Sequence, residues 1–235
     1  MSGKRYREAL AKVDREKEYA PADAIRILKD LPAAKFDESV EVAFRLGVDT
    51  TQAEQALRGT VALPHGTGKT VRVAAFATGE KAREAREAGA DVVGGDDLVE
   101  QVIGGTIEFD AAVATPDMMA AVGKAGRVLG PRGLMPNPKT GTVTFDIAKA
   151  VTAIKGGQLE YKTDKSGIVH LIIGKRSFGE QQLLENLHAV AEEIVRARPS
   201  AAKGKYVISV ALSTTMGPGI RLDPSHVREV EAAQS

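Results

Sequence analysis

The sequence predicts two domains: an α+β domain made by both ends of the chain, and an α/β domain inserted between them. The central third alternates short apolar stretches with helical ones, which is typical of a parallel sheet with helices on both faces. Two segments nearer the ends alternate apolar and polar residues, which is typical of an antiparallel sheet buried on one side. We therefore predict a first domain from residues 1–66 and 158–235 and an inserted domain from residues 67–157.

The inserted domain is predicted from its strand-helix repeats. The stretches VRVAAFAT, ADVVGG and FDAAVAT are apolar and short, which favours strands. The helical stretches are GEKAREAREAG, DLVEQVIGG, TPDMMAAVGKAG and FDIAKAVTAIKGG. In the last of these, Ile147, Val151 and Ile154 share one face, and Gly156 ends the helix. The order of these elements predicts a Rossmann-like parallel sheet.

The antiparallel sheet of the first domain is predicted from residues 39–46 and 205–213. The residues expected on its buried face are Val40, Val42, Phe44 and Leu46 in the first segment and Tyr206, Ile208, Val210 and Leu212 in the second. The polar residues Ser39, Glu41, Arg45, Ser209 and Ser213 are expected on the other face. Strict alternation of this kind favours strands that are covered on one side only.

Two helices are predicted to cover the apolar face of this sheet. One follows Pro21 and stops before Pro32. The other spans residues 177–198, where Ser177 and Glu180 have the spacing of a capping box. Its apolar stripe consists of Leu183, Leu187, Val190 and Ile194.

The chain must cross between the domains near residues 65–69 and 155–158. The first crossing lies in LPHGTGKT, which resembles a phosphate-binding loop. Such a loop needs a glycine where Leu63 stands and a helix where a strand follows Thr70, so we do not predict phosphate binding here. We interpret the crossing glycines as hinges instead, the alternative being ordinary turns within one domain. These glycines are Gly66, Gly68, Gly156 and Gly157.

Composition excludes several classes of protein. The 32 basic residues balance 31 acidic ones, and no third of the chain is basic in bulk, so nucleic-acid binding through net charge is not expected. There is no cysteine, and the four histidines lack ligand spacing, so neither a metal site nor a cofactor is predicted. No apolar run approaches the roughly 20 residues of a membrane span, and the charged N-terminus is unlike a secretory signal, so the cytoplasm is expected.

Two stretches are more elaborate than a connection requires. Residues 123–143 carry five glycines, three prolines and four basic residues without an acid. A structured loop that packs on its own domain is one interpretation of this stretch. Residues 213–219, STTMGPG, follow a strand with a polar face. Hydroxyls and exposed amides there suit close approach to the sugars and phosphates of structured RNA.

The stretch GRVLGPRGLMPNPKTGTV resembles the signature of the uL1 family, the universal stalk proteins of the bacterial large ribosomal subunit. KFDESVEVAFRLGVD, DKSGIVHLIIGK and STTMGPG are similar to further hallmark segments of that family, in the same order. The resemblance runs from about residue 4 to residue 224. It implies two domains, the first formed by both termini, as the patterns also predict.

The resemblance implies an RNA-binding surface on the first domain. The residues that match the family's RNA-binding motifs are Lys35, Phe36, Ser39, Glu41, Lys165, Gly167, His170, Ser209, Ser213, Thr214, Thr215, Met216 and Gly217. Its implied partners are large-subunit (23S) ribosomal RNA, exit-site tRNA, whose release the stalk assists, and the messenger RNA of the protein's own operon, whose translation it represses. A ribosomal protein in the cytoplasm, monomeric when free and not an enzyme, is therefore expected. The alternative is a nucleotide-binding α/β enzyme.

Overall fold

The computed structural model describes residues 3–52 and 54–225. Its helices are α1 (Lys4–Ala11), α2 (Pro21–Asp30), α3 (Gly79–Glu87), α4 (Asp96–Ile103), α5 (Met119–Val122), α6 (Gly126–Leu129), α7 (Ile147–Lys155) and α8 (Glu180–Arg196). Its strands are β1 (Ser39–Leu46), β2 (Arg58–Ala62), β3 (Val73–Phe76), β4 (Val92–Gly94), β5 (Ala111–Ala114), β6 (Gln158–Lys162), β7 (Ile168–Lys175), β8 (Val207–Thr214) and β9 (Ile220–Leu222). Short 3-10 turns lie at Pro116–Met118, Gly123–Ala125 and Pro138–Thr140.

The chain divides into two compact units. The terminal unit comprises Met1–Gly68 and Leu159–Ser235, and the inserted unit comprises Lys69–Gln158. The crossings thus lie at 68/69 and 158/159, within two residues of the boundaries expected from the glycine-rich segments. Each unit has its own apolar core.

The terminal unit is built on an antiparallel sheet of order β7-β1-β8-β9. The central strand β1 pairs Phe44 with Val169 on one side and with Val210 on the other. Val40, Val42 and Phe44 are fully buried, as their alternation predicts. Helices α2 and α8 cover this face, and the opposite face carries the polar side chains of the sheet.

A β-bulge in β8 changes one predicted face. Arg45 pairs with Ser209 while the next residue, Leu46, pairs with Val207, so Ile208 is an extra residue in the pairing. Val207 is 4% exposed and Ile208 is 36% exposed. The expectation that Ile208 lies on the buried face is therefore wrong, because one inserted residue reverses the alternation beyond it.

Helix α8 starts differently from the predicted capping box. It begins at Glu180, and the side chain of Gln182 accepts a 2.9 Å hydrogen bond from the backbone N–H of Gly179. Ser177 instead donates to Asp37 at 2.7 Å, which ties the start of α8 to the segment before β1. The box of Ser177 and Glu180 is therefore wrong. The predicted stripe is confirmed, since Leu183, Leu187, Val190 and Ile194 are all buried.

The inserted unit is a parallel sheet of order β4-β3-β5 with helices on both faces, which confirms the predicted α/β class. Successive residues of β3 face opposite sides, as the pleat requires. Val73 and Ala75 pack in one cluster with residues of α3 and α7. Ala74 and Phe76 pack in another with residues of α4, α5 and α6. Both faces are thus closed by helices.

The segment 123–143 is ordered by its own packing. Leu129 is fully buried, and the turn at Gly133 takes a φ of 71°, which glycine adopts without strain. The backbone N–H of Asn137 donates to Thr142 Oγ1 at 2.7 Å, and its side chain accepts from the N–H of Lys139 at 2.8 Å. This stretch is a structured loop of the inserted unit. Over the described ranges, none of the helices has the length and apolarity needed to cross a bilayer.

Candidate nucleic-acid interface

The turn that follows β8 is fastened to the start of β1. The backbone N–H of Ser39 donates to Thr215 Oγ1 at 3.0 Å, and the N–H of Thr215 donates to the carbonyl of Ser39 at 3.0 Å. Thr215 therefore continues the pairing of β1 and β8 beyond the last strand residue, Thr214. The exposed Thr215 side chain already makes bonds within the protein, and its oxygen retains a second lone pair for a partner.

The turn after β8 and the segment before β1, together called the corner below, each expose a large apolar side chain. Met216 is 52% exposed and Phe36 is 55% exposed. Lys35, beside Phe36, is exposed as well. An apolar side chain held at the surface beside polar groups suits stacking on a base or packing on a sugar.

A buried carboxylate lies beneath this corner. Glu38 is 1% exposed, and its Oε1 accepts from the N–H of Ala34 at 2.8 Å while its Oε2 accepts from the N–H of Met216 at 2.9 Å. Arg5 and Arg176 approach the same carboxylate at 3.5 and 3.7 Å. Burial alone would raise the pKa of Glu38, but hydrogen bonds from Ala34, Met216 and Thr214 outweigh that effect and lower it. The group is therefore ionised at neutral pH.

Thr214 and Gly217 shape the turn from inside. Thr214 is 5% exposed, and the N–H of Gly217 donates to the Thr214 carbonyl at 3.1 Å. A Cβ on Gly217 would lie 2.4 Å from Thr214 Oγ1, so only glycine fits this position without displacing that hydroxyl. The structure thus places Met216 and Thr215 outward and Thr214 inward.

The polar face of the sheet leads away from this turn. Glu41 lies opposite Ser213, and Arg45 lies opposite Ser209. At the edge, Lys175 Nζ donates to Ser39 Oγ at 3.0 Å. The sequence placed these serines and Glu41 on the polar face, and they all lie there, partly exposed.

The remaining three predicted residues lie farther along the sheet. His170 is opposite Ala43 in the middle of β1, and the carbonyl of Gly167 accepts from the N–H of Leu46 at the far end. At about 3.3 Å per residue, Leu46 is roughly 23 Å from Ser39. Lys165, exposed beside that end, and Gly167 are therefore well separated from the turn after β8. Gly167 itself is buried, and its φ of 73° explains the glycine.

The first crossing segment is held by the terminal unit. Asn186 in α8 is fully buried: its Oδ1 accepts from the N–H of His65 at 3.0 Å, and its Nδ2 donates to the carbonyls of Gly66 at 3.0 Å and Ile173 at 2.7 Å. A Cβ on Gly68 would lie 2.8 Å from the Phe178 ring. The segment up to Gly68 is thus packed against α8.

Residues 63–70 do not form a phosphate-binding loop. The ammonium of Lys69, which would reach the phosphates in such a loop, lies 2.9 Å from Asp110. Strand β3 begins at Val73, so the chain does not continue from this loop into a helix, as a phosphate-binding loop requires. Among residues 3–52 and 54–225, no three His, Asp or Glu side chains are grouped to hold a metal ion. His226 lies outside the described residues.

Sequence reasoning missed Glu38, Asn186 and Lys175. A signal for the first two was present. Glu38 stands two residues before Val40 and shares its buried phase, and Asn186 stands within the buried stripe of α8, four residues before Val190. A polar residue at a position that faces the core indicates a hydrogen-bond partner in the interior.

Known proteins resemble this chain over nearly its whole length. A sequence model of the Ribosomal protein L1p/L10e family matches residues 28–218. A protein of Thermobifida fusca is 60% identical over 230 residues, covering 98% of each chain. One of Kitasatospora aureofaciens is 61% identical over 229 residues, covering 97% of this chain and 95% of the relative. One of Streptomyces coelicolor is 60% identical over 227 residues, covering 97% and 94%. All three are named large ribosomal subunit protein uL1.

Proposed function

The chain belongs to the Ribosomal protein L1p/L10e family, and from this premise we propose that it is a constituent of the large ribosomal subunit that binds large-subunit ribosomal RNA through its terminal unit. The observation that carries the proposal is the turn after β8. Its backbone is fixed to Ser39, and it exposes Met216, while the segment before β1 exposes Phe36.

The chemistry of this corner suits structured RNA. Duplex RNA hides its base edges in a deep, narrow groove, so proteins recognise its shape and its 2′-hydroxyls, and they read unstacked bases in its loops and bulges. The side chains of Ser39, Ser213 and Thr215 supply hydroxyl groups, while Met216 and Phe36 supply apolar surface. Such contacts need little net charge, which agrees with 32 basic against 31 acidic residues in the chain.

We extend the proposal to the other partners that the family resemblance implies. The ribosome-bound protein assists the release of deacylated tRNA from the exit site. The free protein, a monomer, represses translation of its own operon by binding a messenger RNA structure similar to the ribosomal site. Because one surface serves both RNAs, they must compete, and a ribosomal RNA fragment should displace the messenger fragment.

Two matched phenylalanines test where RNA binds. Phe36 is 55% exposed in the terminal unit, and Phe145 is 61% exposed in the inserted unit. We expect Phe36→Ala to weaken binding of a 23S ribosomal RNA fragment by about tenfold or more, the loss of one stacked base, and Phe145→Ala to leave it unchanged. Gel-shift titration of the full chain measures both. Equal affinities for both variants and the wild type would remove the corner around Phe36 from the site.

Deleting the inserted unit tests the same proposal on a larger scale. All the RNA contacts that the family resemblance implies lie in the terminal unit. Replacing residues 69–158 by a short glycine-rich linker should therefore cost less than about 1 kcal/mol of binding free energy. Circular dichroism must first establish that the shortened chain folds. A shortened chain that folds but loses more than about 3 kcal/mol would contradict the proposal.

We also propose that the crossing glycines permit motion between the units. Gly66, Gly68 and Gly157 take φ values of 63°, 71° and 101°, and Gly156 caps α7. Since Gly66 and Gly68 are packed on the terminal unit, substitutions that restrict the backbone are best made at the second crossing. Gly156→Ala combined with Gly157→Ala should alter the distance distribution between fluorescent labels on the two units while RNA affinity stays constant. An unaltered distribution would mean that these glycines only form turns.

A further inference from the structure

We propose that the buried residue Glu38 positions Met216 and Phe36, the two exposed apolar residues of the corner, for RNA recognition. The inference rests on the proposed function, because it assigns a role in that same site. Glu38 itself touches no RNA, since it is 1% exposed. It acts through the backbone of Met216 and of the segment before β1.

The carboxylate joins two loops that are far apart in sequence. Its Oε2 accepts from the N–H of Met216, which is 178 residues away. Its Oε1 accepts from the N–H of Ala34, two residues before Phe36. The backbone of Met216 and the backbone two residues before Phe36 are therefore held by opposite oxygens of one group, and we expect displacement of that group to shift both loops.

Only a carboxylate fits these surroundings. Among the described residues, two backbone N–H groups, the hydroxyl of Thr214 and the guanidinium groups of Arg5 and Arg176 face it; the N–H and guanidinium groups can only donate, and the hydroxyl can donate as well. Glutamine has the same shape, but it presents an NH2 group on one side, which would face a donor. A buried donor facing another donor is left without a partner, and that loop must move to reach water.

The surrounding cations complete the arrangement. Arg176 donates to the carbonyls of Lys29 and Leu31 at the end of α2, and its Nη1, which has no hydrogen-bond partner, lies 3.7 Å from Glu38 Oε1. The positive charge offsets the cost of burying the carboxylate. The same contacts connect the end of α2 to the corner, so the corner is supported from α2, β1 and β8.

The test compares Glu38→Gln with Val190→Ala in the full chain. Val190 is fully buried within the apolar stripe of α8, so its truncation controls for general loss of stability. At a temperature where both variants are folded, we expect Glu38→Gln to bind the ribosomal RNA fragment about tenfold or more weakly, the loss of a hydrogen bond to a charged group. Val190→Ala should bind as the wild type does.

A second readout separates positioning from stability. Amide hydrogen exchange at Met216 should accelerate about tenfold or more in Glu38→Gln and stay unchanged in Val190→Ala, because only the first variant loses the acceptor of that N–H. If Glu38→Gln fails to fold, Glu38→Asp replaces it: the charge is kept, but the shorter side chain cannot reach both loops. The same loss of affinity and protection is expected there.

The outcomes distinguish this inference from the function on which it rests. Wild-type affinity or unchanged Met216 exchange in a folded Glu38 variant overturns the positioning role. A wild-type protein that does not bind the RNA fragment overturns the proposed function and with it the role in recognition. Equal losses of affinity in Glu38→Gln and Val190→Ala would reduce Glu38 to a contributor to stability.

Discussion

The turn after β8 in the terminal unit and the turn at Asn137 in the inserted unit are held in different ways. In the terminal unit, Met216 is bonded to Glu38 across 178 residues, and Gly66 is bonded to Asn186 across 120. In the inserted unit, Asn137 shapes its turn through residues two and five positions away. Long-range bonds make a loop depend on the fold of its whole unit, so that the loop is preformed when a partner arrives.

The two cores differ accordingly. The buried polar residues of the terminal unit, among those described, are Glu38, Thr67, Asn186 and Thr214. Those of the inserted unit are Thr115 and Thr140, and its sheet is filled mostly with alanine and valine. Burying polar groups costs stability unless they are fully bonded. In the terminal unit these residues lie at two places: Glu38 and Thr214 fix the turn where we place recognition, and Asn186 fixes the first crossing segment.

Replacing Asn186, whose side-chain amide is buried in the terminal unit, should produce the largest effect, a loss of stability. Asn186→Leu keeps a similar volume but leaves the N–H of His65 and the carbonyls of Gly66 and Ile173 without their partner. Each buried unpaired group costs roughly 1–3 kcal/mol, and some here can reach water, so we expect the terminal unit to lose about 3 kcal/mol. Native-state hydrogen exchange at amides of β1 measures this loss.

The inserted unit provides the control for that measurement. Thr140→Val removes a hydroxyl that bonds to Asn137 and Thr142 nearby. Its cost should stay near 1 kcal/mol and should be confined to amides of β3 and β5. A loss in Asn186→Leu no larger than that in Thr140→Val would mean that the two units are held alike.

Thr215→Val should have the next largest effect, and it acts on RNA affinity. The hydroxyl accepts from the N–H of Ser39 and can still face an RNA sugar or phosphate. We expect about tenfold weaker binding of the ribosomal RNA fragment, near 1.4 kcal/mol. The slope of log affinity against log salt should stay the same, because no cation is lost. Wild-type affinity in a folded Thr215→Val protein would leave the strand face around Ser39 and Ser209 as the candidate.

The sequence predicted regular elements well because their signals are local. The alternation in β1 and the stripe of α8 each occupy one short segment, and their buried residues were identified correctly. The bulge at Ile208 left no trace in the pattern, since an extra residue in a strand has no composition of its own. One such residue was enough to turn a predicted core side chain outward.

The candidate site was predictable only in part. Residues on the polar face, such as Ser39 and Ser213, follow from the strand period. Glu38 and Asn186 could have been flagged as polar residues on a buried phase. Their partners could not have been named, because a pattern read along the chain does not show which N–H groups arrive from 120 or 178 residues away.

A smaller effect on stability is expected from the partly exposed ion pairs of the inserted unit. Asp110 pairs with Lys69 and Arg72 at 2.9 and 3.3 Å. The hydrogen bond from Lys69 is the main cause that lowers the pKa of Asp110 from 3.8 to about 2. A folded pKa below the unfolded one adds stability that is present above about pH 4 and is lost as the pH falls towards 2.

The variant Asp110→Asn tests that contribution. The pKa difference corresponds to at most about 2 kcal/mol, and solvent screening at a carboxylate that is 26% exposed reduces the expected loss to about 1 kcal/mol. Glu87→Gln, at the exposed end of α3, serves as the control. Denaturant unfolding of the inserted unit at pH 7 and pH 2.5 should show a difference from wild type that is largest at pH 7 and falls to about a third of that size at pH 2.5. An equal difference at both values would mean that the carboxylate charge is not responsible.

The smallest expected effect is at Lys69, and it tests whether the inserted unit has any nucleotide chemistry. Lys69 is paired with Asp110, Leu63 occupies the position of a required glycine, and β3 follows where a helix would be needed. Isothermal calorimetry should therefore detect no binding of ATP or GTP at micromolar concentrations, in the wild type or in Lys69→Ala. The variant should lose less than about 1 kcal/mol of stability, as an exposed ion pair does. Micromolar binding in the wild type that disappears in Lys69→Ala would give the inserted unit a site of its own, and recognition would no longer be confined to the terminal unit.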